Sequence, residues 1–247
     1  MYHVYKEGYS TLPNLKKISK EQVFEKSITD SSIIQIEKKE AIKKQNYFFE
    51  HKNPIEFYEI CEDFILNNYN RKLHCGGYLN IAKKIDEDLI IHRIDDEKDY
   101  ASSIHVCFPS GWYPEEKIGK SFIEIHQPVP MNLKNSKKLV EAIVYGGIFE
   151  RFVWSVVYEK KYNFHPKLNN KKFNKNEPEI FVKVERQVTV GFPEKNFCLF
   201  ILRQYLIEEK QLDKKRLAES IRNMTEEQKE YKSLQNFQEI IDYLDPQ

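Results

Sequence analysis

The stretch Ile180–Val190 carries the most informative side chains in the chain. Strand alternation puts Val182, Val184, Arg186, Val188 and Val190 on one face, and Phe181, Lys183, Glu185, Gln187 and Thr189 on the other. Arg186 therefore sits in the middle of a valine face that reads as buried. An unpaired guanidinium there costs several kcal/mol, so it must meet a carboxylate, a bound anion or a polar ligand. A structural ion pair with a core acid such as Glu124 or Asp88 satisfies it equally well. The next strand repeats the pattern, with Phe197, Leu199, Ile201, Arg203 and Tyr205 on one face. Arg203 lies near the strand end, where it reaches solvent. Arg151 precedes Phe152-Val-Trp-Ser-Val-Val and reads as a strand-edge residue with its head group in water.

Of the seven histidines, His126 has the most distinctive setting, Ile123-Glu-Ile-His-Gln-Pro-Val-Pro. Pro128 and Pro130 fix the backbone after it, and the apolar residues before it point to burial. A neutral imidazole held rigidly in an apolar pocket is a good axial ligand for haem iron. A satisfied core histidine is the bland alternative. His92 and His105 stand where they face each other across a hairpin, but with no third ligand evident between them. The four cysteines, Cys61, Cys75, Cys107 and Cys198, form no C-x-x-C pair and read as buried, inert side chains. No nucleotide-binding glycine loop, metalloprotease helix or nucleophile elbow is present, and Gly146-Gly147 reads as a helix terminator.

These residues must be positioned by 247 residues with 39 basic and 38 acidic side chains, a formal charge of +1. That balance speaks against a nucleic-acid binder working through counterion release. Hydrophobic residues make up 40% of the chain, enough for a real core. No apolar run approaches the roughly 18 residues of a membrane span, and the N-terminus lacks a secretory apolar region. A soluble, cytoplasmic protein is expected, forming one domain over 1–247.

Within it, residues 1–80 read as helical, with Phe57, Ile60, Cys61, Phe64 and Ile65 as the buried stripe of one helix. Residues 81–206 read as a sheet core. Asp88–Arg93 and Ser102–Phe108 form a hairpin around a polar loop. An irregular, then helical segment follows over 109–150. Three more strands come at Phe152–Tyr158, Ile180–Val190 and Phe197–Tyr205, the last two joined by a short hairpin loop. Residues 207–247 return to helix, with Thr225-Glu-Glu-Gln as a capping box and Leu234, Phe237, Ile240, Ile241 and Leu244 on one face. An α+β fold is expected; a PAS-like antiparallel sheet of five strands is one layout with this order, and the periodicity allows other α+β folds as well. In the PAS-like layout the crossing segment, between the second and third strands, packs over one face and encloses a ligand.

The chain also resembles a known family. Phe108-Pro-Ser-Gly-Trp-Tyr-Pro-Glu-Glu-Lys-Ile-Gly-Lys-Ser-Phe-Ile-Glu-Ile-His-Gln-Pro-Val-Pro is similar to the FPS-x-W, EK-x-G and IH-x-PVP block of the haem-dependent oxidative N-demethylases. Val184-Glu-Arg-Gln, then Pro193 and Leu199-Phe-Ile-Leu-Arg, resembles that family's RVERQ and FxIR block. Asp86-Glu-Asp-Leu resembles its QEDL segment and Tyr231-Lys its late YK. The blocks stand in family order. Three departures are clear: Arg151-Phe-Val-Trp has Val153 where the family has asparagine, the family's ERQTL reads Glu185-Arg-Gln-Val-Thr, and Gly191-Phe192 replaces the arginine or leucine before the proline.

What the resemblance implies is a PAS-like domain carrying haem b, with flanking N- and C-terminal helices. Relatives of this kind oxidise the secondary amine dimethylamine to methylamine and formaldehyde with O2. Electrons come from NADPH through FMN and iron–sulfur centres on a partner reductase subunit. With no cysteine cluster and no nucleotide fingerprint, this chain would be the haem-bearing subunit only. By motif match, His126 is the axial iron ligand and Arg186 a contact to the haem propionates or to the distal side. Glu185 is a second catalytic candidate, and Arg151 and Trp154 contact the cofactor. Trp112 and Lys117 belong to the same block as His126. A non-enzymatic haem sensor of oxygen or redox state, and a scaffold that has lost haem, are the competing expectations.

Overall fold

The computed structural model describes residues 3–25, 31–69, 71–127, 136–234 and 236–246. Pro128 and Pro130, expected to stiffen the backbone after His126, lie outside the described residues. Along the chain come β1 (Lys16–Lys17), α1 (Ser31–Lys44), β2 (Phe48–Glu50), α2 (Ile55–Asn68), α3 (Tyr78–Ala82), β3 (Asp88–Ile94) and β4 (Asp99–His105). Then follow α4 (Phe122–Ile125), α5 (Ser136–Gly146), β5 (Ile148–Val157), β6 (Phe181–Phe192), β7 (Phe197–Glu208), α6 (Lys214–Arg222), α7 (Glu226–Tyr231) and α8 (Phe237–Leu244). None of these helices is long and apolar enough to cross a membrane.

The strands form one antiparallel sheet in the order β1-β5-β6-β7-β3-β4-β2. It has seven strands rather than the expected five, and residues 1–80 are not wholly helical. The two additions are short strands on the edges: β1 pairs Lys16 with Glu150, and β2 pairs Phe48 with His105. They cover edges that would otherwise be open to another chain. Two or three residues are too few to show alternation, which is why periodicity misses them. Strand β4 starts three residues earlier than expected. The connection shrinks to a turn in which the Asp95 carboxylate accepts from the amides of Glu97 (3.1 Å) and Lys98 (2.9 Å).

The two faces of the sheet are covered by different parts of the chain. On one face, Val188 and Val190 of β6 pack with Phe57, Cys61, Ile65 and Ile81 of α2 and α3. Farther along the same face, Val182 and Val184 pack with Leu217, Ile221, Ile240 and Ile241 of α6 and α8. The helical stripe predicted around Phe57 is thus the buried face of α2, and the Phe57 ring stacks on Phe197 at 4.2 Å. At the C-terminus the Thr225 capping box forms: its hydroxyl accepts from the Gln228 amide (3.2 Å) and its own amide donates to the Gln228 side chain (3.0 Å). The helix it starts ends at Tyr231, and α8 begins separately at Phe237.

On the opposite face, α5 packs Val140, Ile143 and Val144 against Cys198 and Phe200. It ends at Gly146, and Gly147 turns the chain into β5 with a positive φ of 108°. The crossing segment, residues 108–127 and α5, therefore lies over this face, between β4 and β5 in chain order, and α1 shares it, packing Ile34 and Ala41 with Phe108, Val157, Phe181 and Leu206.

Candidate functional site

Between this crossing segment and the sheet lies a cavity of about 1020 Å³. That is at the upper end of the roughly 300–1,000 Å³ of small-molecule and cofactor sites. Its floor comes from alternate residues of the sheet: Arg151, Val153, Ser155 and Val157 of β5, Lys183, Glu185, Gln187 and Thr189 of β6, Phe200 and Leu202 of β7, and Ile90 and His92 of β3. Register explains the set, since Arg151 stands opposite Gln187, Val153 opposite Glu185 and Ser155 opposite Lys183. The roof carries Trp112, Lys117, Phe122, Ile125 and His126, and one end is closed by Tyr9, Tyr231 and Lys232.

His126 follows directly on the short helix α4, which is pinned at both ends. Asp99 accepts the Phe122 amide at 2.7 Å with the same oxygen that meets His92 Nε2 at 2.8 Å. A capping box at Ser121 and Glu124 closes the first turn. Lys117 Nζ donates to the carbonyl of Ile125 at 3.0 Å. The imidazole stacks on the Phe122 ring at 4.1 Å, and Nδ1 lies 2.8 Å from the Phe122 carbonyl. A carbonyl accepts only, so Nδ1 carries the proton and Nε2 keeps a bare lone pair. Burial lowers the His126 pKa to about 4, so the ring is neutral at pH 7. A histidine whose Nδ1–H is fixed by a carbonyl is oriented to bind a metal through Nε2.

Arg151 faces the cavity from β5, and its buried Nε has no hydrogen-bond partner. Burial lowers its pKa against the opposing charge of Glu185. Glu185 accepts from the side-chain amides of Gln187 (2.6 Å) and Gln204 (2.5 Å), a setting that suits an ionised carboxylate. Lys232 lies 5.0 Å above the Tyr9 ring and 3.5 Å from the Ser155 hydroxyl. Burial lowers its pKa to about 8, with Glu185 acting in the other direction. Lys183 is also lowered to about 8 by burial; it donates to the carbonyls of Phe108 (3.1 Å) and Tyr162 (2.5 Å).

The structure thus brings His126, Arg151 and Glu185 to one cavity, but not Arg186. Arg186 projects from the other face of β6, where Nε meets Glu150 at 2.7 Å and the two terminal nitrogens donate to the carbonyls of Val23 (2.8 Å) and Gln22 (2.6 Å). The valine face of β6 lies under helices, and the polar alternate face lines the cavity, so the contact to haem expected of Arg186 is not supported by its placement. The carboxylate it meets is Glu150, not Glu124 or Asp88. Arg203 is likewise buried rather than solvated, donating to the Gln204 carbonyl at 3.0 Å. His92 and His105 do not face each other, since His92 pairs with Ala101 and His105 with Leu89.

Trp154 borders the cavity, while its ring packs edge-on to Tyr5 and Tyr9 and its Nε1 donates to the Gly8 carbonyl at 3.3 Å. Sequence reasoning missed Lys183, Lys232, Gln187 and Gln204. For the strand residues a signal existed, since Lys183, Glu185 and Gln187 alternate with the valines. Lys232 offered none beyond its place in the YK pair.

Residues 62–241 match the family described as haem-dependent oxidative N-demethylase, alpha subunit-like. No curated protein matches the chain. The match spans well over half of the sequence, and the chain belongs to this family.

Proposed function

We propose that this chain is the haem-bearing subunit of an oxidative N-demethylase, with haem b in the cavity, where His126 would bind its iron. The observation that carries the reading is the His126 imidazole, neutral and tied through Nδ1 to a backbone carbonyl, on the wall of a cavity of about 1020 Å³. The remaining groups fit the same cofactor. The unpartnered Nε of Arg151 and the ammonium of Lys232 suit the two propionate carboxylates, and Trp112, Phe122 and Phe200 offer flat apolar surface. Haem, when bound, supplies the iron centre at which O2 is activated.

The proposed reaction is dimethylamine + O2 + NADPH + H⁺ → methylamine + formaldehyde + NADP⁺ + H2O, or its equivalent on another small secondary amine. Electrons arrive through FMN and iron–sulfur centres on a partner subunit, in keeping with the alpha-subunit-like description of the family. Glu185, fixed by Gln187 and Gln204, accepts an N–H of the bound amine and holds its nitrogen in place. Val153, directly opposite Glu185, leaves this part of the wall apolar. Arg186, engaged with Glu150 on the other face, takes no part. The PAS-like reading is supported by the order β4-β3-β7-β6-β5 of the five long strands, with the crossing segment between β4 and β5.

The test is NADPH oxidation and formaldehyde release by the haem-loaded chain with a competent flavin and iron–sulfur reductase. Turnover that depends on a secondary amine and falls at least tenfold in Glu185→Gln is expected. Full haem occupancy with no response to any small secondary amine overturns the enzymatic reading.

A further inference from the structure

Outside the residues that line the cavity, Asp88 at the start of β3, His105 at the end of β4 and Cys107 just beyond it converge, and all three are buried. One ligand atom from each lies within 4.8 Å of the others. A point exists no more than about 2.8 Å from all three, so modest side-chain movement brings them to the roughly 2.0–2.3 Å of zinc–nitrogen, –oxygen and –sulfur bonds.

The second observation is the His105 ring. It is fully buried, and neither nitrogen has a hydrogen-bond partner among the described residues. A neutral imidazole has one donor and one acceptor, and burying both unmet is costly. Around it, Tyr47 presents a ring edge-on at 5.1 Å, and the nearby side-chain charges are the ammonium groups of Lys38 and Lys83, which oppose a charged ring. Asp88 Oδ1 is in the same condition, while Oδ2 accepts the Phe108 amide at 2.9 Å. Lys38 Nζ stands 3.5 Å from Oδ1, but it donates to the carbonyls of Ala82 (3.0 Å), Ile85 (3.0 Å) and Glu87 (2.5 Å). With its three protons directed there, Oδ1 keeps its lone pairs.

We propose that Asp88, His105 and Cys107 bind one Zn²⁺ ion, with water as the fourth ligand. On binding, the Cys107 S–H bond breaks, its proton passes to solvent, and the sulfur donates its electron pair to the cation. The two anionic ligands then match the charge of the ion and leave Lys38 as the outer cation. The ion joins the start of β3, the end of β4 and the beginning of the crossing segment. None of the three residues lines the cavity proposed for haem.

The test uses the full chain, equilibrated with ZnCl2 and dialysed against zinc-free buffer. Zinc and haem per chain are measured on the same samples, and a zinc K-edge spectrum is recorded for the wild type. One zinc per chain is expected, with one sulfur neighbour at about 2.3 Å and nitrogen or oxygen neighbours at about 2.0–2.2 Å. His105→Ala and Cys107→Ser lose the zinc. The spectrum keeps the test decisive even where a variant folds poorly. A wild type that retains no zinc, a spectrum without a sulfur neighbour, or equal zinc in the wild type and both variants overturns the site. A water in place of the ion gives the first of these results.

Discussion

Replacing Arg186 by methionine separates a structural arginine from a cofactor-binding one. The side chain is 5% exposed and its partner Glu150 14% exposed. Removing it strips a carboxylate and the carbonyls of Gln22 and Val23 of their donors at once. Breaking a buried ion pair from one side costs about 3–5 kcal/mol. The partial exposure of Glu150 lets water recover some of this, which places the change near 3 kcal/mol. For a chain of this size each kcal/mol shifts the melting temperature by about 2–4 °C, so a fall of about 6–12 °C is expected. Calorimetry or a denaturant series reads this directly, with haem per folded chain measured alongside and expected to match the wild type. Adding Glu150→Leu to the variant removes the stranded carboxylate and is expected to regain part of the loss. An Arg186→Met protein that melts with the wild type yet loses haem would refute the placement of this residue away from the cofactor.

Arg151→Gln removes the guanidinium from the cavity and is expected to weaken haem retention at least tenfold, read by haem competition, while the melting temperature of the haem-free chain changes by no more than a few degrees. Val153→Asn places an amide opposite Glu185; a change in the spread of amines accepted is expected, measured as relative rates across a series of secondary amines. Gly191→Ala adds a Cβ 2.1 Å from the Val144 carbonyl at the C-terminal end of α5; neither backbone can yield cheaply, and a loss of more than about 2 kcal/mol is expected in a denaturant melt. Lys183 titrates near 8 in the folded chain against 10.5 for an ordinary lysine. Between those values the unfolded chain binds the extra proton, so this lysine's cost to stability is full below pH 8 and is relieved as pH rises toward 10.5. Relative to Lys183→Met, the wild type is therefore expected to gain stability from pH 8 to pH 10, and parallel curves would contradict the burial argument.

Much of this arrangement was legible because strand alternation and helix stripes are strong signals. The five long strands, the Phe57 stripe of α2, the Thr225 capping box and the setting of His126 all follow from residue type and spacing. The faces of β6 were harder. Alternation separates Arg186 from Glu185 correctly, but it does not say which face holds a ligand. An apolar face with one arginine suggests a lined pocket, yet here helices from both ends of the chain cover it, and the arginine serves to tie Gln22, Val23 and Glu150 to the sheet. The polar face of Lys183, Glu185 and Gln187 looks solvent-facing by pattern but lies over an interior cavity. Contacts distant in sequence decide between these readings, as with Lys232 and Tyr9, which meet across more than two hundred residues. The buried grouping of Asp88, His105 and Cys107 is hidden for the same reason: alternation does not fix the register of β3 on β4, which sets His105 opposite Leu89, next to Asp88, and His92 opposite Ala101.

The central claim is that His126 binds haem iron through Nε2 from its fixed position beside Phe122. The most direct measurement is the absorption spectrum of the purified full chain after haem addition, with wild type and His126→Ala side by side and folding of both checked by circular dichroism. A sharp Soret band with one haem per chain in the wild type, broadened, shifted or lost in the variant and restored toward wild type by added imidazole, is the predicted result. Identical spectra and identical haem occupancy in the two proteins would contradict the assignment.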